Sequence, residues 1–85
     1  MRYIAGVKTN WLAIDEKSGR NSYVNLYPDE LTVESGAHYG RGITDNAGRC
    51  TYDEFLKGRF QDIIKDELGE VVLEEVIQAV RGSSG

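Results

Sequence analysis

The chain has 85 residues, with 10 Lys and Arg against 14 Asp and Glu, one His and one Cys. The formal net charge of −4 disfavours direct binding to nucleic acid, because phosphate backbones are held by clustered Lys and Arg. A single Cys cannot form an internal disulfide and fits a reducing compartment, and with a single His it cannot supply a four-ligand zinc site in a monomer.

This length makes one domain, taken here as residues 1–81, with Gly82-Ser83-Ser84-Gly85 read as a flexible tail or cloning remnant. A domain this small buries only about 60–65% of the surface of its unfolded chain, so support from a second copy or a partner is expected. The N-terminus lacks the apolar core of a signal peptide, and no apolar run is long enough for a membrane span. A cytoplasmic protein without membrane contact is expected. Residues 1–50 carry six Lys/Arg and six Asp/Glu, whereas residues 51–85 carry four and eight. The net charge therefore sits on the C-terminal part.

In chain order, residues 2–8 (RYIAGVK) read as a strand and Thr9-Asn10 as a turn. Residues 11–14 (WLAI) read as a second short strand with Leu12 and Ile14 on one side. The polar run 15–21 contains Ser18-Gly19, a hairpin signal. Residues 22–27 (SYVNLY) alternate, with Val24 and Leu26 on one face and Tyr23, Asn25 and Tyr27 on the other. Pro28 stops that strand in a Pro-Asp-Glu turn. A fourth short strand fits 31–34, and the glycine-rich stretch 35–49 reads as a long loop with at most a brief strand near Ile43.

Thr51 followed by Glu54 is a capping box, and Cys50 with Phe55 occupies the two positions of a hydrophobic staple. The stripe Tyr52, Phe55, Leu56, Phe60, Ile63, Ile64 and Leu68 has the 3.6-residue period of a helix over 52–67. Within it Gly58 is either a plain propensity defect or a close approach by a neighbour. Val71, Val72, Leu73, Val76, Ile77 and Val80 fall well out of phase with that stripe, and Gly69 suits a helix C-terminus. A second helix over 70–81 follows, with a strand as its alternative. Strands first and helices after predict an α+β domain: a small N-terminal antiparallel sheet of three to four strands, with two C-terminal helices packed on one face.

No constellation for catalysis stands out. Cys50 and His38 invite thiol chemistry, but Cys50 already has a packing role and no obvious third group orients the pair. The glycines at 36, 40, 42 and 48 match neither phosphate-loop spacing. The adjacent acidic pairs on helices point about 100° apart and do not chelate. No enzyme, cofactor or metal is therefore expected.

The expected function is that of a non-catalytic protein-binding module, a small inhibitor or regulator of the kind that phages and mobile elements encode. It would occupy a partner protein with a basic surface. The surface residues assigned to it are Tyr23, Asn25 and Tyr27 on the third strand, Tyr39 and Arg41 in the loop, and the carboxylates of Asp62, Asp66, Glu70 and Glu74. One alternative is a nucleotide or phosphate regulator using loop 35–49 and the following helix N-terminus. Another is a structural subunit, forming a homodimer through Val72, Leu73, Val76, Ile77 and Val80.

Overall fold

The computed structural model describes residues 9–39 and 44–84. Four strands, β1 (Asn10–Asp15), β2 (Arg20–Tyr27), β3 (Thr32–Tyr39) and β4 (Thr44–Thr51), form one antiparallel sheet in the order β1-β2-β3-β4. Three helices follow: α1 (Tyr52–Leu56), α2 (Gln61–Leu68) and α3 (Glu70–Ser84). The α+β order of sheet then helices is as expected. The strand expected over 2–8 lies outside the described residues.

Alternation builds the sheet. Ser22, Val24 and Leu26 are buried on one face, and Val33, Ser35, Ala37 and Cys50 join them across the register. The helices cover this face. Phe55 and Ile64 are fully enclosed, and Trp11, Tyr52, Leu73, Val76, Ala79 and Val80 complete the core. The β1–β2 hairpin turns through Gly19 at φ +74°, whose N–H donates to the Asp15 carbonyl at 2.8 Å. Pro28 ends β2 as its missing N–H and fixed φ require, and a turn over 28–31 leads to β3.

Several sequence expectations are corrected. The stretch 35–49 is mostly strand: β3 runs on to Tyr39 and β4 begins at Thr44. Asn10, expected in a turn, opens β1. The helix over 52–67 is broken in two. Its capping box forms, with the Glu54 N–H donating to Thr51 Oγ1 at 3.1 Å and the Thr51 N–H donating to Glu54 Oε1 at 3.0 Å. But α1 ends at Leu56, and the chain turns through Gly58 at φ +122° and Phe60 at φ +68°. Gly58 is needed for that conformation, which L-residues rarely adopt; nothing lies within 4 Å of where its Cβ would be, so neither sequence reading of it holds. After the break Ile63 points outward, 38% exposed. Gly69, at φ +103°, separates α2 from α3 as expected. The helix then continues through Gly82–Ser84, where a tail was expected.

Candidate functional site

Among the described residues, the helices cover one face of the sheet and nothing covers the other. Its rows follow from the register: Leu12 beside Tyr23 beside Gly36; Ile14 beside Asn21 beside His38; and Asn25 beside Glu34 beside Arg49. These rows divide the face into two halves.

The half towards β4 is polar and internally satisfied. Tyr27 Oη donates to Glu34 Oε1 at 2.8 Å and Asn25 Nδ2 donates to the same oxygen at 3.2 Å. The Arg49 guanidinium lies 4.2 Å from the Tyr27 ring centroid, and its Nη1 reaches Glu30 Oε1 at 3.0 Å. The Tyr27 hydrogen bond, then that of Asn25, holds the Glu34 carboxyl below the usual carboxylate range against the opposing effect of burial. Asn25 and Tyr27 are thus engaged within the protein.

The half towards β1 is apolar. Leu12 and Ile14 are each 62% exposed, two residues apart on the same side of β1. Tyr23 is half-buried next to Leu12, its ring centroid 5.9 Å from that of His38. Gly36 opposite Tyr23 is buried, lying low between these larger neighbours. Leu12 and Ile14 face out because Trp11 and Ala13 face in. Trp11 is 6% exposed and its Nε1 donates to Glu75 Oε1 of α3 at 2.9 Å. Trp11 is thus a core residue.

β1 is also the edge of the sheet, and among the described residues no strand pairs with its far side. The Leu26 N–H donates to the Thr9 carbonyl at 2.7 Å, so Thr9, Trp11 and Ala13 direct their backbone groups to β2. By the alternation of antiparallel pairing, Asn10, Leu12 and Ile14 direct theirs outward. The same end of the molecule is tied to α2 by Glu67, whose Oε1 accepts from Arg20 Nε at 2.7 Å and from Ser22 Oγ at 2.9 Å. The Arg20 hydrogen bond, followed by that of Ser22, holds the Glu67 carboxyl below its ordinary range.

The remaining expected site residues are dispersed. Tyr39 ends β3 opposite Arg20, and Arg41 lies outside the described residues. Asp62, Asp66, Glu70 and Glu74 are all exposed, on α2 and α3, remote from the bare face because the helices cover the other one. The apolar surface assigned to self-association on α3 is spent inside the molecule: Leu73, Val76 and Val80 are buried, and Val72 and Ile77 pack against the core half-buried. Val71 is the apolar residue of α3 that remains exposed, at 72%.

His38 and Cys50 are not brought together. Val33 is opposite Cys50 and His38 is opposite Thr44, which separates them by five strand residues, about 16 Å, and on opposite faces. Burial also pushes the Cys50 thiol up, aided by Glu54, so the reactive thiolate is disfavoured. Among the described residues no three His, Cys, Asp or Glu side chains gather as metal ligands, and no helix is long and apolar enough to cross a membrane. No protein-family model, characterised protein or solved structure matches the chain.

Proposed function

We propose that the protein is a non-catalytic binding module that receives a partner protein on the apolar half of its bare sheet face, beside β1. The observation that carries this reading is the pair Leu12 and Ile14, 62% exposed on an edge strand. A domain that buries so modest a fraction of its surface has few large apolar side chains to spare, and such a patch beside aromatic rings is what protein interfaces use. An extended partner segment added to β1 would pair with the outward backbone groups of Asn10, Leu12 and Ile14 and lay alternate side chains on the patch. The exposed carboxylates Asp62, Asp66, Glu70 and Glu74 would steer a partner with a basic surface without forming the contact themselves. An inhibitor or regulator, phage-encoded or otherwise, fits this profile. The phosphate-regulator reading loses its main support, since β3 and β4 take up most of the stretch assigned to the ligand.

Self-association is a second reading, moved from α3 to β1. Two copies joined by a two-fold axis normal to the sheet at Ala13 would set Leu12 of one opposite Ile14 of the other, with no like charges facing each other along β1.

The test is affinity capture from cell lysate at low and high salt, beside light scattering over a range of protein concentrations. Leu12→Lys/Ile14→Lys should lose the stoichiometric partner, or the dimer, at both salts. Asp62→Lys/Asp66→Lys should weaken capture at low salt only. Undiminished capture by the folded Leu12→Lys/Ile14→Lys protein contradicts the proposal.

A further inference from the structure

Two residues other than glycine have positive φ, Phe60 at +68° and Leu31 at +54° among those described. For bulky residues this backbone conformation is strained. At Phe60 the strain has a visible return. The ring packs against the core and seats on Gly48, where an added Cβ would meet Phe60 Cζ at 3.1 Å. Leu31 has no such return, for its side chain is 48% exposed. Its backbone is nonetheless locked. Its N–H donates to the Pro28 carbonyl at 3.3 Å and its carbonyl accepts from the Tyr52 N–H at 2.8 Å. The turn therefore holds a leucine out beside α1 where a glycine would be less strained.

Next to it stands a cleft of about 400 Å³, lined by Glu30, Leu31, Thr51, Tyr52, Asp53 and Leu56. Its volume is at the lower end of the range of ligand pockets, roughly 300–1,000 Å³. Leu31, Tyr52 and Leu56 make it apolar. Its charged lining is acidic on both sides, from Glu30 and Asp53, with no cation among the lining residues. Among the described residues each carboxylate holds an exposed ion pair, Glu30 with Arg49 at 3.0 Å and Asp53 with Lys57 at 3.6 Å. Such pairs exchange for another cation at little cost.

We infer that the cleft between Leu31 and Leu56 is a second docking site, which takes an apolar side chain flanked by Lys or Arg from a segment of a partner protein. The apolar floor accepts the side chain, and Glu30 and Asp53 meet the neighbouring cations. This site stands apart from the sheet face, on its own observations, and either can fail without the other.

The test is a methyl and amide NMR titration of the full chain with three acetylated, amidated pentapeptides: Gly-Lys-Leu-Lys-Gly, Gly-Glu-Leu-Glu-Gly and Gly-Lys-Ala-Lys-Gly. The first should shift the Leu31 and Leu56 methyl and Tyr52 amide resonances saturably, and the other two should not. Leu31→Gly and Leu56→Ala should each abolish the response, and Leu31→Gly should keep or raise the melting temperature. Absence of shifts with the first peptide, or equal shifts with all three, overturns the proposal. So does a lowered melting temperature in Leu31→Gly, which would show that the leucine is held there for the fold.

Discussion

The two edges of the sheet are finished differently. β4 carries Arg49, faces a register irregularity between Ser35 and Ala37, and runs straight into α1 through the Thr51 cap, while the Phe60 ring lies over its Gly48. Charge, irregularity and a covering element are the usual protections of an edge. Among the described residues, the stretch Trp11–Ile14 of β1 has none of them. The strand's register with β2 is unbroken over six residues, Trp11–Ile14 contains no charge and no proline, and the two exposed side chains of that stretch are leucine and isoleucine. β4 carries protections that the Trp11–Ile14 stretch of β1 lacks among the described residues.

Substitutions can break this contrast, and the largest effect belongs to the closed side. Phe55→Ala, in the helix that follows β4, should cost about 3–5 kcal/mol in urea or thermal unfolding, because the ring is fully buried. For a domain with about 5–15 kcal/mol in total, that approaches global unfolding. Gly48→Val should come next, at about 1–3 kcal/mol, since its side chain would enter the space of the Phe60 ring. Thr51→Ala should cost about 1 kcal/mol by removing the N-cap acceptor. Were Gly48→Val neutral in chemical denaturation, the Phe60 ring would not be seated on β4 as described here.

Acid should act through the ties between sheet and helix. The folded-state pKa of Glu67 lies below its unfolded value because of Arg20 and Ser22. Its contribution is therefore present above the unfolded pKa of about 4.3 and is lost as pH falls through the lower folded value. Glu34, held down by Tyr27 and Asn25, adds a loss of the same sign. Melting temperature measured from pH 6 to pH 3, roughly across that window, should fall, and Glu67→Gln should flatten part of the fall. The smallest change in stability is expected on the open side, where Leu12→Lys/Ile14→Lys should stay within about 0.5 kcal/mol of wild type while removing binding.

Much of the fold was legible locally. Thr51 with Glu54, the alternation of β2, Pro28 and Gly69 each act through neighbours in sequence, so their outcome does not wait on tertiary structure. The break at residues 57–60 was hidden because both helical pieces pack on one core and share an apolar stripe across it. The start of β3 was legible at 31–34, but its continuation to Tyr39 and β4 were hidden by glycines whose use is long-range: Gly36 is paired with Tyr23, and Gly48 receives Phe60. The candidate site turned on a parity choice. In a four-residue apolar run, either Trp11 with Ala13 or Leu12 with Ile14 faces the core, and a one-residue shift exchanges them. The indole hydrogen bond to Glu75, 64 residues away, goes with the first arrangement, and no pattern within the strand reveals it. The tyrosine face was placed correctly, but Tyr27 and Asn25 were committed to Glu34, a partner on another strand.

The central claim is that β1 is an open, usable edge, and amide hydrogen exchange of Leu12 and Ile14 tests it most directly. In the isolated chain at low concentration these amides should exchange as exposed backbone does, while those of Val24 and Val33 stay protected. With a partner or a second copy bound, Leu12 and Ile14 should gain protection together. Protection already present in the isolated chain, or none gained in the complex, would contradict the account.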